Sequence, residues 1–165
     1  MTPVKKKNLS EFNPADLPSA ASMKIGIVVS AWNNEITEAL FAGASETLLS
    51  AKCNRNNIVR LDVPGSFELP LGAQICFTQN RCDAVICIGC VIRGETPHFD
   101  YICQAVSKGI MDLNLKHGIP FVFGVLTCDN IKQAKERAGG KHGNKGVEAA
   151  VAAIKMVALN QMSKH

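Results

Sequence analysis

The residues best equipped for chemistry lie in four short clusters, each just past a run of apolar residues. The richest is Arg93-Gly94-Glu95-Thr96-Pro97-His98-Phe99-Asp100. Imidazole is the side chain that most readily exchanges protons near neutral pH. Gly94 lets backbone approach a ligand closely, and Pro97 at a helix start gives up only an N–H without a helical partner. The amides around Glu95 and Thr96 then form an anion cradle at a helix N-terminus. The positive helix end disfavours a charged imidazole, so His98 stays neutral and able to accept a proton. The plainer alternative is a histidine that only serves the fold.

The second cluster runs from Thr127-Cys128-Asp129-Asn130 to Glu136-Arg137-Ala138-Gly139-Gly140-Lys141-His142-Gly143-Asn144-Lys145-Gly146. Glycines among Arg137, Lys141 and Lys145 make a basic, adaptable loop suited to a phosphate, and a guanidinium can bind two of its oxygens. A helix–helix connection with solvated charges is the other reading. The third cluster is Val63-Pro64-Gly65-Ser66-Phe67-Glu68-Leu69-Pro70. Pro64 and Gly65 set a tight turn into a helix with free first-turn amides. Ser66 and Glu68 can hold hydroxyls of a polyol, or Ser66 can simply cap the helix while Glu68 favours its positive end. The fourth is Ser30-Ala31-Trp32-Asn33-Asn34. Its lone tryptophan either stacks on a planar ring or packs on the surface, and Asn33 or Asn34 is a candidate N-cap.

These clusters need elements to aim them, and the periodicity supplies a regular alternation. Apolar runs at Ile25–Val29, Ile58–Val63, Ala84–Ile92 and Phe121–Leu126 read as buried strands. Between and after them, helical spacing of apolar residues covers 35–52, 68–79, 99–117, about 130–138 and 145–162. The inward stripes are Ile36, Leu40, Ala44, Thr47, Leu48 and Ala51; then Leu69, Ala73, Cys76 and Phe77; then Phe99, Ile102, Cys103, Val106, Ile110 and Leu113. Continuous apolar strands alternating with amphipathic helices imply a parallel sheet covered on both faces. The predicted architecture is therefore α/β, a flavodoxin-like three-layer sandwich on four parallel strands. Residues 1–22, with Pro3, Pro14 and Pro18, read as an extended arm, and 23–165 as one domain. Ligands of such sheets bind beyond the carboxyl ends of the strands, where all four clusters fall.

Bulk composition narrows the classes. The 165 residues are 47% hydrophobic and 19% charged, with a net charge of +4, which suits one packed domain. The positive charge is concentrated at Lys5-Lys6-Lys7 and in the C-terminal half, without one basic stripe interleaved with aromatics, so nucleic acid is not an expected partner. No apolar stretch approaches the ~18 residues of a membrane span. The basic N-terminus leads into Asn8-Leu9-Ser10-Glu11 rather than an apolar signal core. Seven cysteines, an odd number mostly within apolar runs, suit reduced core thiols and a cytoplasmic location. Cys87-Ile88-Gly89-Cys90 lies in a strand, where residues three apart face opposite ways, so neither a metal nor a redox role is expected. No GxGxxG or Walker-type motif appears, so no nucleotide cofactor is expected.

Taken together, Trp32-Asn33, Val63 to Pro70, Gly89 to Ile102 (GCVIRGETPHFDYI) and Glu136 to Gly146 (ERAGGKHGNKG) resemble the lumazine synthases of riboflavin biosynthesis. The similarity runs over roughly residues 23–160, in order and with matching spacing. It implies a transferase that condenses 5-amino-6-(D-ribitylamino)uracil with 3,4-dihydroxy-2-butanone 4-phosphate to 6,7-dimethyl-8-ribityllumazine. The steps implied are Schiff-base formation, loss of phosphate and ring closure with loss of water, without metal or organic cofactor. By position, Trp32 stacks on the pyrimidine, while Ser66, Phe67 and Glu68 hold ring and ribityl chain. Cys90, Val91 and Ile92 line the ring pocket through backbone groups. Glu95 and Thr96 cradle phosphate through amides, His98 shuttles protons, Arg137 with Lys141 binds phosphate, and Phe123 closes the pocket. In that family the last three come from a neighbouring subunit, which implies a homo-oligomer, either a pentamer or a 60-subunit icosahedral shell, with riboflavin synthase as a further partner.

Three features depart from or qualify the pattern. Trp32 stands where phenylalanine is commoner, which keeps an aromatic face and opens the way to tighter flavin binding. The arm is longer than in the shortest members. The turn at Gly139–Gly146 lacks the insertion associated with pentamers, so a shell is permitted. Competing readings are a non-catalytic flavin or lumazine carrier, a shell protein with a vestigial site, and an unrelated phosphate-sugar enzyme of the same fold. The first two have no need of His98 and Arg137, and the third leaves the Trp32 and Ser66–Glu68 matches as coincidence.

Overall fold

The computed structural model describes Asn8 and residues 10–164. The Lys5-Lys6-Lys7 cluster and most of the first arm residues lie outside the described residues. Four strands, β1 (Ile25–Ser30), β2 (Ile58–Val63), β3 (Ala84–Ile92) and β4 (Phe121–Cys128), form one sheet in the order β2-β1-β3-β4. Every pairing in it is parallel. The helices are α1 (Asn34–Ser50), α2 (Leu69–Asn80), α3 (His98–His117), α4 (Ile131–Arg137) and α5 (Lys145–Met162).

Alternation along each strand divides the core in two. Ile25, Ile27 and Val29 of β1, with Ile86, Ile88 and Cys90 of β3, pack with Leu40, Ala44 and Leu48 of α1 and Ala150 and Ile154 of α5. Val28, Val85 and Cys87 face the other way, onto Leu69, Ala73 and Cys76 of α2 and Val106, Ile110 and Leu113 of α3. Cys87 and Cys90 thus sit on opposite faces of the sheet. The three-layer α/β sandwich matches the expected architecture.

Several local expectations need correction. β4 runs two residues past Leu126, to Cys128. The loop after α4 is not bare connection. Ala138–Gly140 (β5) and Gly143–Asn144 (β6) pair antiparallel as a short hairpin, with Gly139 at φ 108° and Gly143 at φ 81°, backbone that favours glycine. Ile102, Cys103 and Phe77 are only half-buried at the margins of their helices' stripes. The arm carries a short 3-10 turn at Pro14–Asp16, and Ala20 is wholly buried in the α1/α5 core. Among the described residues, no helix is long and apolar enough to cross a membrane.

Candidate functional site

At the carboxyl end of β1 the chain turns sharply. Asn33 takes a left-handed conformation (φ 57°, ψ 48°) and starts α1 without a side-chain capping bond. Its Nδ2 donates instead to the Cys90 carbonyl at 2.9 Å, stitching this loop to β3. Asn33 thus holds the N-cap position of α1 without capping it: the amide is spent on a strand 57 positions away, and Trp32 is left 73% exposed. Ser66 does not cap either. Residues Ser66–Glu68 form a 3-10 turn without a side-chain cap, and α2 follows from Leu69.

Trp32 and Glu68 converge on one spot. A Cβ at Gly65 would lie 3.2 Å from Trp32 Cδ1 and 3.1 Å from Glu68 Oε2. An aromatic ring and a carboxylate therefore meet at the same bare stretch of backbone, groups able to stack on a planar ring and to accept its hydrogen bonds. Phe67 projects beside them, 58% exposed. Beneath lies Gly89, where a Cβ would sit 2.6 Å from Ser66 Oγ and 3.4 Å from Ser30 Oγ. Both hydroxyls are buried without a hydrogen-bond partner among the described residues.

The sheet is open here. β1 pairs with β3 only as far as Val29–Ile88, whereas β3 continues to Ile92 with β4 alone beside it. Beyond Ile88 the edge of β3 facing the Trp32 loop has no strand partner, and backbone groups left that way seek other ones. Asn33 takes the Cys90 carbonyl. Cys90 itself is buried, and burial beside Cys128 pushes its thiol up to about 12, so it stays a neutral thiol at physiological pH. Val91 and Ile92 are half-buried.

Arg93 through His98 are all exposed, and Phe99 behind them is buried. α3 begins at His98, with Pro97 preceding it at φ −65°. The Pro97 carbonyl accepts from the Asp100 amide at 3.0 Å. The amides of Gly94, Glu95 and Thr96 have no backbone partner among the described residues, and they stand with the positive end of a 20-residue helix, which favours anions.

Phe123, Arg137 and Lys141 share a different cavity of about 940 Å³, lined also by Thr127, Cys128 and Lys145. Lys141 pairs with Glu136 at 3.2 Å and Lys145 with Glu148 at 2.9 Å. Among the described residues Arg137 has no carboxylate partner. Lys145 carries one of the charges of the basic loop. Its place in the cavity follows from the hairpin, which folds the loop back so that the first residue of α5 meets the last of α4. Neither Trp32, Ser66, Phe67, Glu68 nor His98 lines this cavity. Within one chain Trp32 and Glu68 meet at Gly65, while Phe123, Arg137 and Lys141 line a separate cavity.

The model of the family described as 6,7-dimethyl-8-ribityllumazine synthase matches residues 22–161. The chain is 57% identical over 152 residues to a curated protein of that name from Cytophaga hutchinsonii, covering 92% of this chain and 95% of the relative. It is 54% identical over 151 residues to one from Parabacteroides distasonis, covering 92% and 94%. It is 51% identical over 155 residues to one from Porphyromonas gingivalis, covering 94% and 96%.

Proposed function

The chain belongs to the 6,7-dimethyl-8-ribityllumazine synthase family, an enzyme family of riboflavin biosynthesis, and on that premise we propose how its residues divide the reaction. The substrates are a ribitylaminouracil and a phosphorylated butanone. The uracil's free amine attacks the ketone, water departs as the Schiff base forms, the phosphate leaves, and the second nitrogen closes the ring with loss of another water. Amine, carbonyl and leaving group balance the electrons among themselves, so the reaction draws on no external oxidant or reductant.

Trp32 and Glu68 grip the pyrimidine and its ribityl chain, with Ser66 and Phe67 beside them and the backbone of Cys90–Ile92 along the open edge of β3. The observation that carries this assignment is the convergence of the Trp32 ring and the Glu68 carboxylate on Gly65, next to a strand edge without a partner strand. The amides of Glu95 and Thr96 receive the phosphate, and His98 moves protons between the nitrogen, carbon and oxygen centres. Arg137 and Lys141 complete the anion site and Phe123 closes it, supplied by an adjoining copy of the chain. Arg137, Lys141 and Phe123 line a cavity that His98 does not line within one chain, which supports a site shared between copies. Exposed Leu71, Tyr101, Met111 and Leu115 on α2 and α3 support apolar contact between copies, in a pentamer or a shell of 60.

Mixing the purified protein with both substrates and following the absorbance of the lumazine product tests the reading. Product should appear only with both substrates present, and its absence would remove the proposal.

A further inference from the structure

Arg93 is spent on neither the ring pocket nor the cationic cavity, yet it carries the densest set of contacts at the rim. Its backbone N–H donates to the Cys128 carbonyl at 2.9 Å. Its Nε donates to Asp129 Oδ1 and its Nη1 to Asp100 Oδ1, each at 3.2 Å. Its guanidinium carbon stands 4.2 Å from the centre of the Phe99 ring, itself held in the interior. Arg93 precedes the Gly94–Pro97 loop and Asp100 follows it, so this ion pair closes the loop that bears the free amides and His98. Asp129 adds a second tether. Its amide donates to Gln133 Oε1 at 2.8 Å, and the Gln133 amide donates to Asn130 Oδ1 at 2.9 Å, which ties the Arg93 side chain to the first turn of α4.

We propose that Arg93 is a positioning residue: clamped between Asp100 and Asp129 and stacked on Phe99, it fixes the geometry of the 94–98 loop for the phosphorylated substrate and for His98. The inference rests on the reading of that loop given above. Two carboxylates face one guanidinium, so the cluster is net negative and a poor direct ligand for phosphate. The planar fork meeting two carboxylates in fixed directions is what a lysine ammonium cannot reproduce. All three side chains are about half exposed, where ion pairs contribute little to folding. The consequence of losing Arg93 therefore falls on kinetics rather than on thermal stability.

The test compares Arg93→Ala, Arg93→Lys and the double variant Asp100→Asn/Asp129→Asn with the unmodified oligomer in steady state, varying each substrate in turn. For Arg93→Ala, KM for the phosphorylated butanone should rise roughly ten-fold and kcat should fall several-fold, within the ~10²-fold that a misplacement of about 1 Å costs. KM for the uracil should move less than about two-fold, because Trp32 and Glu68 lie on other loops. Arg93→Lys should fall between, and the double Asp variant should reproduce the Arg93→Ala pattern. If the double variant instead binds the phosphorylated substrate as well as or better than the unmodified protein, Arg93 is a direct phosphate ligand and the proposal is overturned. Equal changes in both KM values, or none, also overturn it. An unmodified protein that makes no product indicts the functional reading instead.

Discussion

At the scale of single residues, proton transfer at His98 and anion binding at Arg137 are the two proposed roles that substitution separates. His98 and Glu68 are ionisable groups a few residues past β3 and β2, the side on which parallel sheets bind ligands, and Arg137 ends α4 after β4. Asn33 takes the N-cap position, but its side chain does not cap, because its partner is the Cys90 carbonyl across the sheet, which a local rule cannot see. The same holds for Arg93, whose partner Asp129 is adjacent only once β3 and β4 pair. His98→Ala should slow turnover by about 10²–10⁴-fold, the usual share of acid–base help, and leave a measurable rate from positioning. Arg137→Ala should act chiefly through the phosphorylated substrate, raising its KM by about 10- to 100-fold, the loss expected for a charge-assisted hydrogen bond of about 1.5–3 kcal/mol. Unchanged steady-state constants in both variants would contradict these roles.

At the scale of elements, the sheet and its helices followed from periodicity because β1 and most of β3 are buried on both faces and the long helices carry an apolar stripe. The β5–β6 hairpin was not legible, since its residues are too few and too rich in glycine to show a period. What fixes it is Asn144, whose Oδ1 accepts from the Gly146 amide at 2.8 Å and caps α5, while its Nδ2 donates to the Ala39 carbonyl of α1 at 3.0 Å. The Asn144 amide in turn donates to Ser10 Oγ at 2.7 Å, so the arm clasps the loop that carries Lys141. Asn144→Ala should cost about 1–2 kcal/mol of stability, by thermal unfolding, for the lost cap and tether. Gly146→Ala should cost more, since its Cβ would overlap the Leu40 carbonyl oxygen in α1, and backbone cannot yield cheaply.

Arg60 of β2 pairs with Asp62 at 2.7 Å and with Glu38 of α1, and its hydrogen bonds hold the Glu38 carboxyl below its ordinary value of 4.5. Because the folded value is depressed, the stabilisation is complete above pH 4.5 and is lost as pH falls below it. Arg60→Ala should therefore lower the melting temperature slightly above pH 4.5, flatten the acid limb, and converge on the unmodified protein once Glu38 is protonated. The pair is exposed, so the loss should stay below about 1 kcal/mol. A variant whose acid limb matched that of the unmodified protein would contradict the assignment.

At the scale of the whole molecule, the fold class was legible and the completeness of the site was not, because a sequence shows what one chain carries and not where its neighbour stands. Six of the seven cysteines are buried and Cys103 is half-buried. Burial pushes the Cys53, Cys90 and Cys128 thiols up. Native protein should therefore expose at most one thiol to an aromatic disulfide reagent and all seven after denaturation; rapid titration of several in the native state would contradict the packing. The shared site makes a sharper demand. Under the proposed reading His98 comes from one copy and Arg137 from the next, so two crippled chains should repair each other. Co-assembling His98→Ala and Arg137→Ala chains in equal amounts should restore about one quarter of the sites, as random mixing in a closed ring with head-to-tail interfaces requires. Product formation well above that of either variant alone is the predicted result; activity no higher than the average of the two would contradict a catalytic centre built from two copies of the chain.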